Sequence, residues 1–591
     1  MKKIYFISAA LLAGVSMSAQ NLNPTVSVTR AYEGKLLDVH KPMEKMFVPD
    51  SLNKFDLDFD YSVFENPYKG AYDFKPYTMN MKPQAEAYSG KKFYLKAGAG
   101  YNLRPSVDAV LEPLSGEKFR MGVYASHHSY FGNYKELGFN DKMNLSSTGT
   151  KQSGYDMYST VGVDGRAYLN KAALTFDVGY LGIHTDDPLE CSPVSQHSST
   201  GYNAAKLAFR LKGENTSESY LYYDMAMKYR FGAQGFGGMP ALSGTSGEYL
   251  SSLNMNDLDF SITLGPVFKQ YHKVVADFGM GMTWYTGLFD ASVGNAFITP
   301  KYVFEKNRWI ISAGVKIGFK MTSGEDLYGR ELNTNKGTMI YPDVRIGFTP
   351  IKDYMNLYVT ATGGDWRNPY YELKERNHFF TPLVPTVMSN NSVERYNLAL
   401  GFSGNIASRF RYDVKVGYRS FESMPMDYVL DALISAGKHQ ITGYGIAYGI
   451  AYEDGTAVYS DLKMQWESKD FALDSWFRIN AVDFKNADAK AFEPARYSGG
   501  IDATYNWRRR LFFGASVEFA SRRAGKIELP AGLSNAYVPA WVDLGVHAEY
   551  AFTRKLSFWV RGENLLDMNI QRTVLYTTGG IGFTAGICLN L

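Results

Sequence analysis

Few of the residues able to do chemistry stand close to one another. Hydrolysis needs a nucleophile beside its base, and the nine histidines are scattered, with no Gly-x-Ser-x-Gly or His-Glu-x-x-His context to gather them. His127 and His128 are adjacent, but neighbouring strand positions point to opposite faces and do not readily share one metal ion. Asp186, Asp187 and Glu190 could attract a cation, yet a calcium site takes about six or more oxygens that the text does not specify. No catalytic residue, metal ligand or cofactor is therefore expected, and no enzyme. The densest constellation lies between Gly363 and Ser392. There Trp366, Tyr370 and Tyr371 could stack on a sugar or a porphyrin-like ring, and with Asp365 and Arg367 they form a candidate ligand loop.

Such a loop needs a scaffold, and the scaffold is written in period two. Phe93, Leu95, Ala97, Ala99 and Tyr101 alternate with Tyr94, Lys96, Gly98 and Gly100. Ile311 to Phe319 set an apolar face against Lys316 and Lys320, Leu511 to Phe519 do so against Glu518, and Val542 to Tyr550 against Asp543, His547 and Glu549. Charges on the second face suit a wet lumen better than the core of a sandwich, so Lys316, Lys320, Glu518, Asp543, His547 and Glu549 are expected to line a lumen. The alternation runs to the end of the chain, where Phe583, Ala585, Ile587, Leu589 and Leu591 share one face. A final strand of this kind closes a transmembrane barrel, because a free edge in lipid leaves unpaired backbone groups costing about several kcal/mol each. The fold class is all-β: a transmembrane antiparallel barrel of about 22 strands, each of about ten residues.

Connections of alternating length orient it. Asn170, Asn307 and Asn506 to Arg510 mark short turns, assigned to the periplasmic side. Polar interruptions at 131–154, 185–201, 232–248, 323–337, 363–392 and 522–540 are assigned to the extracellular side. The longest of these, Gly363 to Ser392, could bind a ligand, enter the lumen or cover the mouth, and covering the mouth is the expectation.

Totals agree with a barrel. At 591 residues the chain exceeds the roughly 300 at which one soluble core stops growing, and no linkers divide it. Lys and Arg (62) balance Asp and Glu (59), which gives no reason to expect nucleic acid or an anionic membrane surface. Cys191 and Cys588 are the only cysteines, too few for a disulfide framework. Residues 1–19 read as a signal peptide, with Lys2 and Lys3, an apolar core and small residues before Ala19. Residues 20–91 are broken by prolines and read as a periplasmic extension, in part able to fill the lumen, and residues 92–591 as the barrel. Within the extension, Thr25, Val26, Ser27, Val28 and Thr29 could offer an edge strand to a partner.

The stretch Arg561-Gly-Glu-Asn-Leu-Leu-Asp567 and the strand after it resemble the last elements of TonB-dependent outer-membrane receptors as found in Bacteroidota, and Asn368 to Asn377 echoes loop text of the same barrels. The resemblance implies a barrel of 22 strands in the bacterial cell outer membrane, inserted by the barrel-assembly machinery, surrounded by outer-membrane lipid and energised through TonB at Thr25 to Thr29. It also implies an N-terminal plug domain, which the roughly 70 proline-broken residues before the first strand do not provide. Solute transport or reception is the expected function. The alternative is a structural or assembly barrel, a subunit of a surface or biogenesis complex with a periplasmic or surface partner.

Overall fold

The computed structural model describes residues 92–591 apart from 102, 117, 190–198, 214–216, 237–250, 326–330, 332–336, 353, 383–390, 407–408, 432–433, 436–441, 444–445, 530–531 and 579. The expected signal peptide, the expected periplasmic extension and Thr25 to Thr29 lie outside the described residues. The described residues build one sheet of 22 strands, each antiparallel to its sequence neighbours, together with two small two-stranded pieces and a short helix. The first strand, Phe93–Tyr101, pairs with the last, Gly582–Asn590, from Tyr94 opposite Asn590 to Tyr101 opposite Phe583. That seam removes both edges, as lipid requires. It is closed tightly: Gly98 and Gly586 face each other across it, and a Cβ on either would collide with the Trp559 ring or the Ala97 carbonyl.

Side chains alternate as period two demands. On the outer face Val315, Phe319, Phe513, Val546 and Tyr550 are exposed, an amount of apolar surface that water does not tolerate over a whole sheet. Along the strand His272–Gly287 this face runs from Val274 to Trp284. Ten residues at about 3.3 Å each, tilted by about 45°, span roughly 24 Å, close to the height of a barrel's hydrocarbon band. Among the described residues no helix is long and apolar enough to cross a membrane.

Strands run longer than the expected ten residues. Many have 15 or 16, and Phe119–Phe139 and Leu145–Leu169 have 21 and 25. The stretch 131–154, expected as a loop, is therefore mostly ladder, with only Asn140 to Asn144 turning. Its polarity reports where the strands leave lipid, and a hydrogen-bonded ladder continues in water as well as in hydrocarbon. Likewise Arg523–Leu529 and Gly532–Val538 pair as a separate hairpin within the expected loop 522–540. Short turns fall where read: Asn307, Arg508 and Arg509 take positive φ at 56°, 54° and 58°. Buried apolar residues gather inside the barrel at the rim of long connections, contributed by Leu181, Ile183, Tyr202, Leu253, Met255 and Tyr285 from the walls and by Tyr370, Leu373, Phe380 and Tyr576 from connections.

Candidate functional site

The constellation between Gly363 and Ser392 does not lie over the mouth; it enters the barrel. Asp365 and Trp366 end the strand Met355–Trp366, and after Arg367, Asn368 and Pro369 a seven-residue helix, Tyr370–Arg376, turns inside the lumen. Pro369 fixes an extended φ ahead of the helix, and its carbonyl accepts the Glu372 N–H at 3.0 Å, while Asn377 closes the other end on the Leu373 carbonyl. So short a helix is not stable alone. Burial of Tyr370, Tyr371, Leu373, Phe379 and Phe380 holds it, at roughly 1.5–3 kcal/mol for each large apolar side chain.

Specific charges fix where it docks. Asp257 and Asp259 lie on the inner face of the strand Leu253–Phe268, and Arg367 answers both. Its guanidinium donates to Asp257 at 2.5 Å, to Thr283 at 2.5 Å and to Asp259. The Tyr371 hydroxyl reaches the other Asp257 oxygen at 3.3 Å, and the Arg230 guanidinium lies 3.5 Å over the Tyr371 ring while pairing with Glu375 at 3.4 Å. The Tyr370 N–H donates to the Tyr285 hydroxyl at 2.9 Å, and the Tyr370 hydroxyl to Gln234 at 3.1 Å. Elsewhere around the wall Arg376 bonds Asp427 at 2.9 Å and the Pro425 carbonyl at 2.7 Å on the strand Phe410–Asp431, and His378 pairs with Asp156 at 2.7 Å on the strand Leu145–Leu169 while stacking on Tyr158.

A second connection packs against the first. Between the strands Leu556–Glu563 and Gly582–Asn590 the chain turns at Asn564, whose side chain bonds both the Met568 N–H and carbonyl, then runs inward. Arg572 pairs with Glu518 and Asp543 at 2.6 and 2.7 Å, Gln571 donates to the Leu145 carbonyl, and the Tyr576 hydroxyl bonds Asp187 at 3.1 Å. The Tyr576 ring stacks on Phe379 with centroids 4.3 Å apart, joining the two connections.

Dryness shows in the ionisable groups of these connections. Burial pushes Lys374, which is wholly enclosed and donates to the Phe380 carbonyl at 3.1 Å, down to about 7 despite the pull of Asp156 and Asp187. Burial lifts Asp187 to about 6, and lifts Glu372 well above the ordinary carboxylate range in spite of Arg367, with Asp257 and Asp259 adding to the effect.

Of the candidate ligand loop, Asp365, Arg367, Tyr370 and Tyr371 are buried and Trp366 half-buried, so in this conformation their rings face the barrel wall and no ligand in solution. The expectation of exposed stacking rings fails because a loop this aromatic gains more by burial than by remaining in water. Lys316 and Lys320 sit on the inner face, Lys316 with its ammonium 4.2 Å from the Phe297 ring, and both lie beside the Asp365 carboxylate. Glu518 and Asp543 meet at Arg572; His547 contacts Thr504 at 3.3 Å, and the buried Glu549 accepts from Ser557. These two groups of inward charges are not brought together. Sequence reading missed Asp257 and Asp259 as docking partners. Two acids at i and i+2 share one strand face, and such a pair among Leu253 and Met255 calls for a cation from elsewhere.

No family model matches the chain, and no curated protein matches it in sequence. Solved structures do match in fold. The FrpB iron transporter from Neisseria meningitidis (F5-1 variant, apoprotein form) aligns with a TM-score of 0.60 at 8% identity, covering 85% of this chain and 81% of that one. The copper transporter OprC aligns at 0.58 with 11% identity over 85% and 80%, and the ferric-catecholate import receptor Fiu from E. coli K12, in its closed form, at 0.57 with 9% identity over 85% and 82%. At such identities the likeness is one of fold: the chain shares the large closed barrel of these proteins.

Proposed function

We propose that this chain is an outer-membrane transporter or receptor of the TonB-dependent type, whose lumen is gated by its own connections. The observation that carries the reading is a closed 22-strand barrel, apolar outside, with Arg367 to Phe380 and Arg572 to Tyr576 packed against its inner wall at the long-connection end. The long connections face the outside of the cell and the short turns the periplasm. Solute passes only when the Arg367 connection leaves the wall, and a clamp of ion pairs is a two-state element that a ligand or partner can bias. Residues 1–19 direct export, and residues 20–91 lie in the periplasm, in part entering the lumen. Thr25 to Thr29 is the strand offered to TonB. Lys316, Lys320, Glu518, Asp543, His547 and Glu549 act as lumen-side groups.

A second reading draws on the same clamp: a barrel shut by so many buried pairs also suits a structural subunit that never conducts. Single-channel recording of the refolded full chain in a planar bilayer separates the two. The gate predicts a closed wild type and frequent openings in Arg367→Ala. A large steady conductance from the wild type would sink the gate, and silence in both proteins would favour the structural subunit. Deletion of Thr25 to Thr29 should abolish uptake in cells if coupling runs through TonB.

A further inference from the structure

The two rims differ in charge. The ten short turns that join strands hold twelve Lys or Arg against five Asp or Glu. The connections at the other rim hold fifteen against fourteen. Nine of the ten short turns carry at least one cation, so the excess forms a collar and not a single patch. The whole chain has a formal charge of only +3, which the collar alone exceeds.

The collar also has a fixed height relative to the apolar band. Lys269 follows the exposed Phe268, Arg308 precedes Trp309, Lys352 lies two residues before Tyr354, and Lys469 three after Trp466. Arg508 lies over the ring of its neighbour Trp507 at 5.2 Å, and Lys555 closes a turn that begins with Phe552. An exposed aromatic ring marks the level where hydrocarbon gives way to headgroups, and a Lys or Arg just beyond it reaches phosphates while its stem stays in the apolar layer. The cations therefore stand at headgroup depth, at the end of the barrel opposite the packed connections.

We propose that this collar binds anionic phospholipids of the leaflet at the short-turn rim through their phosphate headgroups. A proteinaceous partner with an acidic surface would also meet positive charge, but it has no need of cations on nine of ten turns, several of them beside an exposed aromatic. A lipid annulus has that shape. The inference rests on the reading of the chain as a membrane barrel. A cation close to an anionic bilayer favours association by roughly fivefold, so several together give a strong preference even after screening by salt.

The test uses the full-length protein in detergent, with phosphatidylglycerol and phosphatidylethanolamine supplied in equal amounts and retained lipid measured by native mass spectrometry. Retention of phosphatidylglycerol over phosphatidylethanolamine by roughly tenfold is expected. The combined variant R508Q/R509Q/R510Q/R554Q/K555Q should reduce the ratio severalfold, and equal replacement of five exposed cations on the long connections should leave it unchanged. Heat-modifiable migration on gels shows that each variant is folded. Equal retention of both lipids by the wild type, or a ratio that the collar variant leaves intact, overturns the proposal. Failure of the wild type to insert into vesicles at all would instead count against the membrane reading.

Discussion

The two ends of this barrel handle charge in opposite ways. At the long-connection end Arg367, Asp257, Asp259, Arg376 and Asp427 are nearly all removed from water and each is answered by a partner of opposite sign. At the short-turn end Arg308, Lys469 and Arg508 are exposed, and cations outnumber anions without a structural penalty. The difference is one of solvation. An unpaired buried charge costs several kcal/mol, so the long-connection end must balance its charges one by one, whereas water and counterions screen the short-turn end and leave its sign free for recognition.

That contrast can be broken most severely at Arg367. Arg367→Ala leaves Asp257 and Asp259 buried beside each other without their cation, and should destabilise the packed connection by about 3–5 kcal/mol. Limited proteolysis in lipid should then cut between 367 and 391, and adding Asp257→Asn and Asp259→Asn should restore part of the protection. Unchanged protection in Arg367→Ala would show that aromatic packing alone holds the connection.

Lys374 sharpens the same point through pH. Burial holds it near 7 when packed, while a released and hydrated lysine titrates at its ordinary 10.5. Between those values the released form binds more protons, so packing should strengthen as pH rises from about 7 towards 10, and should carry its full penalty below 7. Asp187, lifted to about 6, acts the other way between its ordinary 3.8 and 6, and Glu372, lifted well above the carboxylate range, also opposes the lysine, so Lys374→Met set against the wild type from pH 7 to 9 separates the lysine's part. Protection factors of residues 370–380, which divide out the intrinsic rise of amide exchange with pH, should increase over that range in the wild type, and Lys374→Met should raise them at pH 7 and remove the lysine's part of the trend.

Smaller effects mark the joint between the two connections and the short turns. A double-mutant cycle on Phe379→Leu and Tyr576→Leu should give a coupling of about 0.5–1.5 kcal/mol, since the rings stack at 4.3 Å; a zero coupling would make the connections independent. Asn307→Ala should cost about 1 kcal/mol in urea unfolding, because Asn307 holds a φ of 56° that alanine adopts poorly. It should leave the gate closed, as expected of a turn at the far end.

Much of this molecule was legible in its text. The alternation of Val315, Lys316, Ile317, Gly318 and Phe319 assigns faces without reference to any other strand, because a pleated strand turns successive side chains to opposite sides. The need for closure, the strand number and the short turns at Asn170, Asn307 and Asn506 to Arg510 follow from the same local rule together with the ban on free edges in lipid. The reading of 131–154 as a loop failed because polarity marks where a strand meets water and does not mark where pairing ends. The path of the Gly363 to Ser392 connection was open in the sequence and was decided only in three dimensions. Arg367 finds Asp257 at a separation of 110 residues, and Tyr576 finds Asp187 at 389. Such partners meet only once the barrel has closed around them, because period two fixes which face a residue occupies and leaves unspecified which distant residue shares the enclosed space.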